Sequence, residues 1–305
     1  MIESITKQLN IMIKKQLLFI LAVTTFGYVN TAHSQSPING FMQGKGKGNV
    51  SLSYSSEKYD QVFLVPQETD GVPVFNEVQI NSKNLFATYG VSDKLDLVLS
   101  VPYIESEGSA TQDVLNNLNF SNTRKGFQDV SFYLKYNPYY QNFGKSSLRL
   151  ITAFGLKTPL SAYRADEGLQ SIIAIGNRST TVSGVGVAMF KMDNGIFASG
   201  QFGVNLASND VPNSLTSELK VGYAASKIYG DAYIAGQKSN GGVDILAEGF
   251  QGFFPATRVD YTKVGVNLYA PLYKAIGIAG GASTIIEGRN IGKATGYYGA
   301  VVVKF

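Results

Sequence analysis

The sequence predicts an all-β protein, a single antiparallel up-and-down transmembrane β-barrel of about 12 strands. Three observations lead there. Apolar and polar residues alternate with a period of two in segment after segment, as strands with two unlike faces require. The connections between those segments are alternately short and long, with those after the seventh and eleventh only moderate. The composition joins 33 Gly, 18 Tyr and 18 Phe to a charged fraction of only 16%, which suits many strands with tight turns and aromatic belts and suits a helical protein badly. A barrel of this length is one domain.

The N-terminus carries an export signal. Lys14 and Lys15 precede the apolar run Leu17-Leu18-Phe19-Ile20-Leu21-Ala22-Val23, and Ala32-His33-Ser34 supplies a small-x-small cleavage pattern. The run is too short to span a membrane. Residues 1–34 therefore read as a cleaved signal peptide, with translation starting at Met1 or Met12. Residues 35–48, which contain Gly44-Lys45-Gly46-Lys47-Gly48, form an N-terminal segment that either stays in the periplasm or plugs the barrel, and residues 49–305 are the barrel.

The strands follow in order. In the first, Val50, Leu52 and Tyr54 alternate with Ser51, Ser53 and Ser55, and a loop over residues 60–76 with two prolines and Asp70-Gly71 comes next. The second covers about 78–89 and turns at Val91-Ser92-Asp93-Lys94. The third sets Leu95, Leu97, Leu99, Val101 and Tyr103 against Asp96, Val98, Ser100 and Pro102. After a polar loop over about 105–125, the fourth sets Val130, Phe132, Leu134 and Tyr136 against Asp129, Ser131, Tyr133 and Lys135. A short connection through Pro138 leads to the fifth, with Leu148, Leu150, Phe154 and Leu156 opposite Arg149, Ile151, Ala153 and Lys157.

A loop from Pro159 precedes the sixth strand, 181–190, and Met192-Asp193-Asn194-Gly195 is a hairpin turn of the kind Asn-Gly marks. The seventh covers 196–206, the eighth 215–224 with Leu219, Val221 and Tyr223 aligned, and the ninth is short, 231–236. A loop over 237–256, the tenth strand at 258–269, a turn at Pro271 and the eleventh strand at 276–286 lead to the last, 295–305. There Tyr297, Val301 and Val303 face one way and Tyr298, Val302 and Lys304 the other.

The even strands finish near Tyr89, Tyr136, Phe190, Tyr223, Tyr269 and Phe305. An aromatic at one level of many strands is a girdle at a membrane interface. Phe190 and Tyr269 stand one residue out of phase with the apolar faces assigned to their strands, so the girdle is read as Tyr89, Tyr136, Tyr223 and Phe305. A soluble sandwich shows the same alternation but has no reason to ring one end with Tyr and Phe.

Two resemblances sharpen this. The last strand, ending on Phe305, resembles the closing strand of bacterial outer-membrane barrels, which implies that the assembly machinery reads Phe305. The stretch Tyr89-Gly90-Val91-Ser92-Asp93-Lys94-Leu95-Asp96-Leu97-Val98-Leu99-Ser100-Val101-Pro102-Tyr103 resembles the signature hairpin of the outer-membrane transporter family associated with meta-cleavage pathways of phenol degradation. The segments Gly126 to Tyr136 and Gly155-Leu156-Lys157-Thr158-Pro159 are similar to that family too; Leu160-Ser161 departs from it where a Gly is expected. The likeness covers about residues 85–160. It implies a Gram-negative outer-membrane barrel that passes small hydrophobic or aromatic solutes, set among outer-membrane lipids and lipopolysaccharide.

Other chemistry is poorly represented. The chain has no Cys, hence no disulfide framework, thiol nucleophile or Cys-based metal site. Its one His, His33, leaves with the signal, so the mature chain has no side chain that titrates unperturbed near neutrality, and no enzyme activity or cofactor is expected. Ser55-Ser56-Glu57-Lys58 matches Ser-x-x-Lys, a pattern that chance supplies readily in a Ser-rich strand. Removing residues 1–34 leaves 26 Lys and Arg less three against 22 Asp and Glu less one, a net charge of +2, which makes no case for nucleic acid. Loop carboxylates, among them Asp60, Glu68 and Asp70 and again Glu105, Glu107 and Asp113, read as solvated charges before they read as a Ca²⁺ site.

The lumen remains. Asp96, Asp129, Lys135, Arg149, Lys157, Lys220 and Lys304 fall on the inward face in this register, where opposite charges such as Asp129 and Arg149 brace the wall or select solutes. Ile172-Ile173-Ala174-Ile175 and the stretch Phe250 through Phe254 put apolar side chains in the long loops, as a capture site, a strand extension or a lid packed on itself. A structural or surface-interaction barrel with a blocked lumen is the alternative to a channel.

Overall fold

The computed structural model describes residues 37–305 except 66, 67, 249 and 251. The expected signal peptide, residues 1–34, lies outside the described residues. Twelve antiparallel strands form the wall: β1 (Gly48–Tyr59), β2 (Glu77–Ser92), β3 (Leu95–Ser109), β4 (Asp129–Asn142), β5 (Ser146–Pro159), β6 (Thr181–Met192), β7 (Ile196–Ala207), β8 (Asn213–Ala224), β9 (Tyr229–Asn240), β10 (Asp260–Tyr273), β11 (Ile276–Arg289) and β12 (Thr295–Lys304). Neighbours in sequence are neighbours in the sheet, and β1 closes the ring by pairing with β2 on one side and β12 on the other, Val50 lying opposite both Ala87 and Val303. Closure removes the free edges that an open sheet would expose. The all-β, twelve-strand, up-and-down barrel expected from the sequence is the observed fold.

What the wall turns outward fixes its solvent. Leu52, Leu219 and Leu268 are 63%, 66% and 61% exposed on the outside, while Asp96 and Lys135 are 0% and 2% exposed within. A protein dissolved in water buries the first kind and exposes the second. This inversion is the arrangement that a wall bathed in acyl chains requires.

Several strands outrun the sequence reading. β3 continues to Ser109, through residues expected to be loop, β9 covers Tyr229–Asn240, and β11 reaches Arg289. At the end of the barrel where the long connections lie, Thr123–Phe127 pairs with the upper part of β3, from Tyr103 to Glu107, and an irregularity at residues 128–130 joins it to β4 beside Pro102, which has no N–H to give. A small sheet of Gln61–Phe63, Glu68–Asp70 and Ile291–Gly292, a helix α1 (Gln112–Leu118) and a 3-10 turn at Gly168–Ile173 cover that end. Phe75, Val78 and Ile173, each fully buried, hold this cap together with Val72, Leu115 and Val62. Ile173 and Ile175 therefore turn inward, whereas Phe253, in the other apolar loop stretch, stays 37% exposed.

Candidate functional site, an interior clamp on the N-terminal segment

At the opposite end, where the short turns lie, residues 37–47 run inside the barrel before β1 begins. The segment can lie there because of what it lacks. A Cβ on Gly40 would come within 2.5 Å of the Met189 sulfur on β6, so only glycine lets the backbone pass. A Cβ on Gly90 would likewise strike the Gly44 carbonyl, and the two stretches are tied by Gly46 N–H donating to the Gly90 carbonyl at 2.8 Å.

Two kinds of contact hold the segment. Ile38, 1% exposed, packs with Val98, Ile151, Ala153 and Val187 from three strands. Phe41 meets Phe197 and Tyr229 edge to face, with ring centroids 5.3 and 6.0 Å away. Around this apolar seat lies a polar clamp. The Lys135 ammonium sits 3.6 Å from the Asp96 carboxylate and donates to the Asn39 side-chain oxygen at 3.3 Å and to the Phe41 carbonyl. Asp96 accepts from the Gln43 N–H at 3.1 Å, Arg149 donates to the Gly40 carbonyl at 3.4 Å, and the Lys45 N–H donates to Asp93 at 3.0 Å. An ion pair taken out of water is stable only when its remaining donors and acceptors find partners; here residues 39–43 supply them.

The other inward charges stand elsewhere. Asp129, at the long-loop end of β4, accepts from the Tyr163 hydroxyl at 2.5 Å and lies 3.7 Å from the Lys157 ammonium. Burial first, then this bond to a carboxylate, raises the Tyr163 phenol above its ordinary pKa. The expected pairing of Asp129 with Arg149 does not form. Asp129 lies opposite Pro159 and Arg149 opposite Tyr140, ten residues apart along β5, or about 33 Å at strand rise. Arg149 instead covers the Tyr140 ring at 5.0 Å. Lys220 pairs with Glu218 at 3.1 Å, and Lys304 stands 4.2 Å above the Tyr269 ring. Of the seven charges singled out in the sequence, Asp96, Lys135 and Arg149 come together at the N-terminal segment, and Asp129 and Lys157 pair at the long-loop end.

Tyr89, Tyr136, Tyr223 and Phe305 are 45%, 45%, 44% and 60% exposed on the outer face at the short-turn end, and the Tyr89 and Phe305 rings stack at 6.4 Å. Phe190 joins that face alongside Val182 and Met192, against the phase assigned to it. The phase is hard to read there because Val187 and Met189, on the other face of β6, are also apolar: they pack on the N-terminal segment. Tyr269 does turn inward, beneath Lys304. Ser55 and Lys58 fall on opposite faces of β1, as residues three apart in a strand must, and Lys58 pairs with Glu77 outside. Glu68 pairs with Lys293 at 2.5 Å and Asp70 accepts from Gln61 at 2.7 Å; among the described residues no cluster of three or more acidic, His or Cys side chains could hold a metal.

The sequence reading missed a second interior network. Asn267, 1% exposed, donates to Asp231 at 2.8 Å and accepts from Tyr298 at 3.1 Å, and Tyr229 donates to the same Asp231 carboxylate at 2.5 Å. The alternation of Lys263 and Asn267 against Val264, Val266 and Leu268 in the sequence carries the signal that would have found this face of β10.

No family model and no curated protein matches the chain. Solved structures do. An outer membrane channel from Pseudomonas putida F1 is similar with a TM-score of 0.71 at 13% identity, covering 89% of this chain and all of that one. The beta domain of the Bordetella autotransporter BrkA, at 0.44 and 10% over 86% of this chain and 99% of its own, and the translocator domain of the autotransporter NalP from Neisseria meningitidis, at 0.43 and 9% over 86% and 88%, are too distant to carry argument. At such identities the likeness speaks for the fold, and the fold that this chain shares with the Pseudomonas putida protein is the closed outer-membrane barrel.

Proposed function

We propose that the protein is an outer-membrane channel for small hydrophobic or aromatic solutes, with residues 37–47 as a stopper in the half of the lumen nearest the short turns. The observation that carries this reading is the inversion of polarity across a closed wall: exposed leucines outside, buried ion pairs within. A barrel of eight strands is filled by its own side chains, whereas about twelve leave room for a narrow passage. The likeness to a Pseudomonas putida outer membrane channel supports the same reading. Both ends of the barrel chain then lie on the periplasmic side, outer-membrane lipids and lipopolysaccharide surround the wall, and the assembly machinery engages Phe305. Hydrophobic solutes follow from the resemblance of residues 85–160 to the phenol-pathway transporters.

The filled lower lumen favours a second reading, a structural or surface-interaction barrel that passes nothing. Liposome swelling with refolded protein separates the two. The channel reading expects swelling with small solutes that increases when residues 35–44 are deleted. Liposomes that swell with neither form, while both proteins are inserted and heat-modifiable, would leave the structural reading standing.

A further inference from the structure

The short-turn rim of the barrel carries a charge pattern that the clamp does not use. Four of its five turns hold an exposed lysine: Lys94 between β2 and β3, Lys145 between β4 and β5, Lys227 between β8 and β9, and Lys274 between β10 and β11. Lys47, exposed where the N-terminal segment enters β1, adds a fifth. The turn between β6 and β7 differs, because it exposes Asp193 instead. The other acid of the rim, Asp93, accepts from the Lys45 N–H. Among the described residues none of the five exposed ammonium groups forms an ion pair. At the other end of the barrel the cations are matched: Lys58 pairs with Glu77, Arg124 with Glu167, Arg258 with Asp260 and Lys293 with Glu68.

The neighbours of these lysines fix their depth. The Lys274 ammonium lies 5.0 Å from the centre of the Tyr273 ring, which is 65% exposed. The Lys94 carbonyl accepts from the N–H of Asn137, next to the girdle residue Tyr136. Lys145 follows the exposed Phe143, Lys227 follows Tyr223, and Lys47 precedes Gly48, which is bonded to Phe305. An aromatic ring at the acyl boundary with a lysine just beyond it puts the ammonium at the level of lipid head groups.

We infer that the short-turn rim is a binding surface for anionic phospholipids, which it gathers from the leaflet in which it stands. The inference rests on the lipid-bathed wall and not on any passage through the lumen. Like charges at one level repel one another, and an anionic surface turns that repulsion into attraction. Their distribution decides between a lipid and a protein as the partner. A soluble acidic protein docks from one side and is met by a one-sided patch, whereas these lysines stand on turns spread around the closed ring, and lipid surrounds the whole wall.

The chain has no Trp, so Tyr273→Trp places a single reporter beside Lys274, and Phe190→Trp places one beside the turn that carries Asp193. Each protein is reconstituted into mixed bilayers of phosphatidylcholine and phosphatidylglycerol in which one lipid or the other has brominated chains. Bromine quenches the reporter it touches, so the two quenching curves give the relative affinity of the two lipids at that point of the rim. For Tyr273→Trp, phosphatidylglycerol should be favoured about fivefold at low salt, the gain expected from one lysine near an anionic surface. The preference should fall to less than about twofold in ~1 M salt, where the screening length is about 3 Å, and likewise when Lys274→Gln is added. Phe190→Trp should show no preference. Tyr136→Trp with Lys94→Gln serves the same purpose should Tyr273→Trp fail the heat-modifiability check. Equal affinity of the two lipids for Tyr273→Trp, a preference that survives Lys274→Gln, or the same preference for Phe190→Trp would each overturn the surface. Quenching by neither lipid would instead overturn the lipid-bathed wall itself.

Discussion

Lys135→Met tests the clamp most directly. The side chain is 2% exposed and gives two hydrogen bonds to the N-terminal segment, to Asn39 and to the Phe41 carbonyl. Hydrogen bonds from a charged donor contribute about 1.5–3 kcal/mol each, so losing both removes about 3 kcal/mol at the low end from the seated segment. A second effect has the same sign. Without Lys135 the Asp96 carboxylate, 0% exposed, is stranded while the segment is in place, at about 3–5 kcal/mol, and water reaches it once the segment leaves. Both terms favour release. Taking only the first, at a factor of ten for about every 1.4 kcal/mol, the released population rises about 100-fold. The chain has no Cys, so Ile38→Cys gives a single label in a clean background, and Ile38 is 1% exposed when seated. The rate of maleimide labelling in proteoliposomes is expected to rise by about that factor when Lys135→Met is added. Adding Asp96→Asn as well should bring the rate part of the way back, because the new amide oxygen still accepts from the Gln43 N–H and no charge is stranded. A labelling rate in Lys135→Met within about threefold of the parent, well short of the rise worked out above, with the barrel folded by heat-modifiability, would refute the clamp.

Three further outcomes are expected. Gly40→Val places methyls where even a Cβ would sit 2.5 Å from the Met189 sulfur; the backbone must shift, and Ile38→Cys labelling should rise at least tenfold with the barrel intact. Removing Phe305 deletes two backbone hydrogen bonds to Gly48, at 2.9 and 3.0 Å, and the stack on Tyr89; the fraction of chains that become heat-modifiable in a timed assembly assay should fall, and an unchanged fraction would free Phe305 of any role in closure. The loop between β9 and β10 should loosen in acid. Asp244 is held down to about 2 by hydrogen bonds from Arg289 at 2.7 and 2.5 Å and from Asn290 at 2.8 Å. Its folded pKa lies below the ordinary carboxylate value near about 3.9, so the anchor contributes fully above pH ~4 and is lost as pH falls toward ~2. Limited proteolysis between residues 241 and 259 should accelerate over that interval with an acid-active protease, and Asp244→Asn should be fast at every pH; equal rates for the two proteins near neutral pH would remove Asp244 from the account.

The wall was legible because its two solvents differ so sharply. Where a strand separates acyl chains from a polar interior, as β3 does with Leu97 and Leu99 against Asp96, the period of two survives in the sequence and fixes both register and face. Legibility fails where the interior is no longer polar. On β6 the inward Val187 and Met189 pack on the N-terminal segment, both faces turn apolar, and Phe190 cannot be phased from its neighbours. The small sheet escaped notice for another reason. Strands of two and three residues, such as Ile291–Gly292 and Gln61–Phe63, are too short to show any period.

The clamp was half legible, and the missing half follows from the same physics. An inward Asp96 and Lys135 could be placed by parity alone, because each belongs to one well-patterned strand. Their partner could not, because residues 37–47 have no period to read: the segment threads the lumen once and presents backbone groups more than side chains. Its sequence spaces Gly40, Gly44 and Gly46 among unlike residues, and a run such as Gly44-Lys45-Gly46-Lys47-Gly48 is as consistent with a loose tail as with a chain that must pass close to Gly90 and Met189. What separates the two is a pair of charges on the wall that no wall residue fully satisfies. Asp96 and Lys135 lie opposite one another on β3 and β4, buried and 3.6 Å apart, a separation that leaves lone pairs and protons unused, and in a polar, water-filled lumen water would take them up. Here the Gln43 N–H, the Asn39 side chain and the Phe41 carbonyl do so. Because the wall charges are complete only with the segment seated, and the segment has no fold of its own without them, each should lose order when the other is removed, which is why labelling at residue 38 reports on Asp96 and Lys135 without touching either.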